Sequence, residues 1–245
     1  MRIFIIFVAF LKFFGRILPG SIGRSSAERV YDSGVRMQRL GRLDEALARY
    51  SEAIRLDPSL VQAYNNRASA YLNMGKPEMA IPDLDEAIRL SPDLAIAYST
   101  RGLAHTNLGD FGAAVKDLNK AVRLNPNFAD GYSSRGFAHR AAGRLDRAIN
   151  DFDQAIRIDD KFSVAYNNRA DVYIEKGEPD RAIPDLDLAI HLDPWFAVAY
   201  ANRAFAQTLL KNDTEAIKDV ESAVKLGVDR DILEEKLAEF RERAD

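Results

Sequence analysis

Cysteine is absent from the 245 residues, which excludes disulfides, thiolate nucleophiles, cysteine-ligated zinc or iron–sulfur clusters and lipidated cysteine. An excess of one charge is missing too. The net charge is −3, with 34 Lys+Arg against 37 Asp+Glu, and the signs interleave along the chain. The uniformly basic surface of a phosphate-backbone binder is therefore not there, and no nucleic-acid partner is expected. No Gly-rich phosphate loop, serine elbow or Glu-x-x-His signature occurs, and paired acids such as Glu234-Glu235 belong to exposed helix faces. The expectation is a binding protein with no cofactor and no catalytic or metal site. What is present, 47% hydrophobic and 29% charged residues, is the composition of a soluble chain that forms a core.

Residues 1–26 are a separate object. Met1 to Arg29 carries five bases and one acid, against 29 bases and 36 acids in the rest. Arg2 is followed by the apolar run Ile3 to Leu11, then Lys12, Phe13, Phe14, Arg16, Pro19-Gly20 and the small-x-small sequence Ser21-Ile22-Gly23. These are the parts of a secretory signal, although Lys12, Arg16 and Arg24 sit where a cleavable signal is usually uncharged. The run also falls short of the ~20 residues that span a bilayer. Three readings stand: a signal or uncleaved anchor, an interfacial helix with Lys12 and Arg16 at the headgroups, or an extension packed on the following repeats. The first two place the protein at a membrane or across it, the third in the cytoplasm.

From Ala27 the chain falls into register at a period of 34, in rows 27–60, 61–94, 95–128, 129–162, 163–196 and 197–230 with no insertion. Position 8 of the rows is Gly34, Ala68, Gly102, Gly136, Ala170, Ala204; position 20 is alanine throughout, from Ala46 to Ala216; position 27 likewise, from Ala53 to Ala223. Position 4 is Tyr in rows two to six, and position 32 is Pro58, Pro92, Pro126 and Pro194. Small residues are needed where two helices cross closely, so position 8 is expected to face position 20, and position 27 to admit the next unit. Gly41, Gly75, Gly109, Gly143 and Gly177 at position 15 supply a left-handed residue that closes a helix. Residues 231–245 read as one more helix, with Ile232, Leu233, Leu237 and Phe240 on one face, as a polar-backed cap. Rows two and five share Tyr-Asn-Asn-Arg-Ala and Ile-Pro-Asp-Leu-Asp, which suggests a duplicated block of three repeats.

This pattern resembles the tetratricopeptide repeat (TPR) family, whose 34-residue unit is two antiparallel helices. The resemblance implies an all-α fold: a right-handed α-solenoid of six helical hairpins plus a C-terminal capping helix. It also implies a scaffold for protein or peptide partners, although a fold alone does not name one. Position 7 is Arg67, Arg101, Arg135, Arg169 and Arg203, and position 23 in the same rows is Asp83, Asp117, Asp151, Asp185 and Asp219; row one has Ser33 and Arg49 instead. Residue types that appear and vanish together point to an ion pair between the two helices of each hairpin, the other reading being a basic ligand stripe. His105 and His139 share position 11 with Tyr71 and Tyr173 and read as packing substitutes for a ring.

In the family, positions 2, 5, 6, 9, 12 and 13 of the first helix line the concave face. Position 6 here is Asn66, Thr100, Ser134, Asn168, Asn202. Such a ladder of amides and hydroxyls could grip an extended peptide backbone, the bland alternative being groups that are solvated or tie one repeat to the next. Leu103, Phe137 and Phe205 at position 9 are candidate apolar anchors. Relatives that clasp the carboxylate of heat-shock chaperones use a lysine at position 5 and an asparagine at position 9 of one unit, an asparagine at position 6 of the next, and basic residues at positions 2 and 6 of a third. The corresponding positions are Tyr31, Val35, Ile96 and Thr100 around Asn66, and Ser133, Phe137, Val198 and Asn202 around Asn168, so that partner is rejected. The contending function is self-association, with residues 1–26 filling a groove of the same or another copy.

Overall fold

A computed structural model describes residues 25–244; the readings of residues 1–24 lie outside the described residues. The described chain folds as α1 (Ser26–Arg39), α2 (Leu43–Leu56), α3 (Val61–Asn73), α4 (Pro77–Leu90), α5 (Ala95–Asn107), α6 (Phe111–Leu124), α7 (Ala129–Ala141), α8 (Leu145–Ile158), α9 (Ser163–Glu175), α10 (Pro179–Leu192), α11 (Ala197–Leu209), α12 (Asp213–Lys225) and α13 (Arg230–Ala244). It divides into two compact units, one ending at Asn127 and the other starting at Phe128. Each unit holds three hairpins, so the division falls where the sequence suggests a duplicated block. Helix α1 opens on a capping box, in which the Ser25 hydroxyl accepts from the Glu28 N–H at 3.1 Å and the Glu28 carboxylate accepts from the Ser25 N–H at 2.7 Å.

The turn glycines behave as their position demands: Gly41, Gly75, Gly109, Gly143 and Gly177 have φ between +69° and +79°. In the sixth hairpin Lys211 takes this place at φ +60°, a conformation that costs a side chain roughly 1–2 kcal/mol. Pro77 and Pro179 start α4 and α10 at their first turn, and both helices run on through Pro82 and Pro184.

Position 8 lies in the same core as position 20, as Ala68 and Ala80 show, but its nearest neighbour is another residue. A Cβ at Gly34 would meet Tyr50 Cε1 at 2.7 Å, one at Gly102 would meet Leu118 Cγ at 2.5 Å, and one at Gly136 would meet Phe152 Cε1 at 2.8 Å. The nearest side chain in these three hairpins is that of position 24. Its side chains Tyr50, Leu84, Leu118, Phe152 and Leu186 are wholly buried, so the small residue is the socket and the large one the plug. Glycine stands wherever the plug is a ring; alanine faces Leu84, Leu186 and Val220.

Within each unit neighbouring hairpins bury one another. Ala97 and Ala104 of α5 join the core of Ala68, Ala80 and Leu84; Ala70 of α3 packs with Ala46 and Tyr50; Val172 of α9 packs with Ala148 and Phe152. Within each unit the first helices also touch in succession, α1–α3–α5 and α7–α9–α11, which puts them on the inner side of that unit's curve. Helix α13 closes the second unit, with Leu233 and Leu237 buried among Ala201, Ala204, Val220 and Ala223.

Candidate protein-binding face

The arginines of position 7 lie between helices. Arg169 holds Asp185 in a two-pronged pair, Nε to Oδ2 at 2.7 Å and Nη2 to Oδ1 at 2.6 Å, and its Nη1 donates to Asp153 of the preceding hairpin at 2.6 Å. Arg101 does the same with Asp117 and Asp85, and Arg203 with Asp219 and Asp187. Arg67 pairs Asp83 and reaches Ser51 at 3.0 Å. The tyrosine of position 4 lies under each guanidinium, at 5.3 to 6.0 Å from the ring centre. The carboxylate bonds hold the Arg169 guanidinium above its ordinary pKa. One charge thus joins two helices of its own hairpin and one of the hairpin before, and it is no free stripe for a ligand. The position-25 partner escaped the sequence reading. The cap extends the scheme, since Arg230 reaches Glu221, also at position 25, at 2.9 Å.

His139 is buried beside Asp151, 3.9 Å away, and burial pushes its pKa down. His105 stands 4.0 Å from Asp117. Both rings border the arginine clamp. Among the described residues no group of three His, Cys, Asp or Glu could hold a metal.

The position-6 ladder is turned largely to its neighbours. Asn66 is buried and its Nδ2 donates to the Tyr31 hydroxyl at 2.9 Å; Thr100 is buried and its hydroxyl donates to the Ile96 carbonyl at 2.9 Å; Asn202 is buried and its Nδ2 donates to Asn167 Oδ1 at 3.0 Å. Ser134 is buried, and Asn168 is half-buried, accepting from Asn167 Nδ2 at 3.4 Å. The picture of a ladder open to a peptide backbone is corrected at Asn66, Thr100 and Asn202, whose polar atoms tie one repeat to the next or bond to their own helix. In the first unit the network widens: Tyr50 donates to Gln38 Oε1 at 2.7 Å, and Gln38 Nε2 to Ser69 at 3.4 Å. Burial raises the Tyr31 hydroxyl above its usual range.

Rows two and five also differ at the amide of position 5. Asn167 Oδ1 accepts from Asn202, but its counterpart Asn65 Oδ1 is buried without a partner, because Thr100 stands where Asn202 does. Thr100→Asn is expected to supply that donor and raise stability by about 1 kcal/mol, read as a higher urea midpoint at unchanged slope. Asn202→Thr should lower it.

Of the apolar candidates, Leu103 on α5 and Phe137 on α7 are half-buried. Phe205 is not available: it is 5% exposed because Phe240 of α13 stacks on it, ring centres 4.8 Å apart. Where the cap lands cannot be read from the repeat, so this anchor was misassigned. In the second unit Arg140 on α7 bonds Asp171 and reaches Glu175 on α9 at 2.8 Å; these are groove positions 12, 9 and 13. Burial raises the Asp171 carboxyl against the pull of Arg140. No repeated column signals this cluster, since each residue occurs in one row only.

Within each unit, successive helical hairpins whose inner helices stay half-open are the architecture of a repeat scaffold. The chain belongs to the tetratricopeptide repeat family: TPR-repeat sequence patterns match residues 39–75, 61–94, 95–128 and 135–194. Among solved structures it is similar to a chain of the APC/C hetero-tetramer Cut9-Hcn1, at 20% identity and TM-score 0.77 over 89% of this chain and 42% of that one. A tetratricopeptide repeat protein from Parabacteroides merdae superimposes at 24% identity and TM-score 0.72, over 88% of this chain and 84% of that one. A thermophilic TPR protein of Thermus thermophilus does so at 23% and 0.69, over 74% and 98%. At these identities the likeness is one of fold. The chain spans less than half the length of its Cut9-Hcn1 relative. No curated protein matches it in sequence.

Proposed function

We propose that the chain is a protein-binding scaffold whose inner helices receive an extended or helical segment of a partner, and that residues 1–26 hold it at a membrane. The TPR fold is suited to protein–protein interaction and is typically a non-enzymatic scaffold. The observation that carries the reading is the state of the inner face. Its polar atoms are mostly spent on the repeats themselves, while Leu103 and Phe137 stay half-exposed on helices whose other faces are buried. Half-open apolar side chains beside satisfied polar groups suit anchor pockets better than a backbone-gripping ladder. The membrane part rests on the sequence of residues 1–26, since among the described residues no helix is long and apolar enough to cross a membrane.

Selection of a displayed random-peptide library on the full chain tests the reading. Recovered peptides should carry an apolar anchor, and Leu103→Ala or Phe137→Ala should weaken the peptides bound at that unit by roughly tenfold or more, the cost of one lost anchor. Peptides that bind both variants as well as the original chain would place recognition elsewhere.

A further inference from the structure

Within each unit, the second and third repeats present small apolar residues to the repeat before them. Position 3 is Ala63, Ala97, Ala165 and Ala199; position 10 is Ala70, Ala104, Val172 and Ala206; all are buried. The first repeat places Arg29 and Arg36 there, both exposed. These two positions lie two turns apart on one face of α1, the face that in later hairpins packs on a neighbour. Arg39 and Arg42 are exposed at the end of the same helix and the turn after it. Arg29 also donates to Ser26 at 3.1 Å, and Arg42 is paired with Glu45.

A polar outer face at the end of a repeat array is ordinary, but its sign need not be positive. Residues 1–42 hold eight bases and two acids, while residues 43–245 hold 26 bases and 35 acids. This basic face follows directly on the sequence that pairs the apolar run Ile3 to Leu11 with Lys12, Arg16 and Arg24. Fourteen or so residues between Leu11 and the start of α1 span up to roughly 50 Å when extended, so a membrane holding the run holds α1 within reach of its headgroups.

We propose that the α1 face bearing Arg29 and Arg36 docks on anionic lipid headgroups, so that the first repeat, and not the binding face, lies against the membrane. The proposal rests on the membrane reading of residues 1–26. Basic residues near an anionic surface each add attraction that salt screens within a Debye length. A second copy of the chain is the rival occupant. The outer face of α13 carries Asp231, Glu235, Glu239 and Glu242, all exposed, and could pair with α1 head to tail. The apolar, basic sequence beside α1 matches lipid and has no counterpart on α13, which favours the membrane.

The test uses the full chain with vesicles of phosphatidylcholine alone or with phosphatidylglycerol, by co-sedimentation. The expected result is binding to both, roughly tenfold or more tighter to the anionic vesicles. Arg29→Glu with Arg36→Glu should cut that preference roughly tenfold, leaving the share of Lys12, Arg16 and Arg24, and leave binding to the neutral vesicles. The control Arg123→Glu with Arg157→Glu, at exposed sites in the last turns of α6 and α8, should retain most of the preference. An equal loss in the control pair, or a preference undiminished in the α1 pair, overturns the proposal. So does a variant whose only defect is lost concentration-dependent mass, restored by Glu235→Arg with Glu242→Arg, which would assign the face to a second copy. Failure of the underlying reading has its own signature: the original chain would bind neither vesicle, or Ile5→Asp with Phe7→Asp would leave neutral binding unchanged.

Discussion

Replacing Arg169 by alanine is expected to destabilise the protein by about 3–5 kcal/mol. The Asp185 carboxylate is held by two of the arginine's nitrogens at 2.6–2.7 Å, with side-chain exposures of 20% for the arginine and 10% for the aspartate. Without the guanidinium, a buried charge loses its partner, and Asp153 of the preceding hairpin loses its link as well. The cost is mainly the stranded carboxylate. Arg169→Met with Asp185→Leu should therefore recover a large part of the loss, because apolar residues of similar volume can replace a buried pair at little cost. Thermal or urea unfolding of the two variants decides it. A single variant as stable as the original, or a double variant no better than the single, would mean that the pair does not hold these helices.

The second large effect is expected at Gly136. An added Cβ there would lie 2.8 Å from Phe152 Cε1 and 3.0 Å from Cδ1 and Cζ, closer than carbon atoms approach, and Phe152 is wholly buried with no room to retreat. Gly136→Ala should cost about 1–3 kcal/mol by overpacking. Helix propensity acts the other way, favouring alanine by about 1 kcal/mol, so the measured loss is the difference. Phe152→Leu added to Gly136→Ala recreates the alanine–leucine socket of Ala68 with Leu84 and of Ala170 with Leu186, and should be milder than the sum of the two single changes. Additivity in that double-mutant cycle would contradict the socket.

The hairpins were legible because their determinants repeat. Turn glycines, position-27 alanines and closing prolines recur at one spacing, and each has a local cause. The arginine–aspartate pair was legible for a different reason: both partners are missing from row one, where Ser33 and Arg49 stand. Its third member was not, since position 25 varies, and where the clamp is seen it is Ser51, Asp85, Asp153 or Asp187; a hydroxyl or a carboxylate can each accept from the guanidinium. The sequence reading set position 8 against the small residue at position 20 and missed the large one at position 24 that fills the socket, because that column varies as Tyr50, Leu84, Leu118, Phe152, Leu186 and Val220.

The inner face was legible in position but not in state. Composition at position 6 shows amides and hydroxyls, yet whether they face a ligand depends on the neighbour across the helix pair. Tyr31 satisfies Asn66, and Asn167 satisfies Asn202, from 35 residues upstream. Phe205 was misassigned because its cover, Phe240, lies outside the repeat register. Arg140, Asp171 and Glu175 form a cluster that no single row contains.

Hydrogen–deuterium exchange of the full chain, alone and with a selected peptide, tests the central claim most directly. The account predicts slowed exchange on the inner helices of the engaged unit, α3 and α5 around Leu103 or α7 and α9 around Phe137, with α4, α6, α8 and α10 little changed. Protection confined to the second helices of the hairpins would contradict it and move the partner to the opposite face.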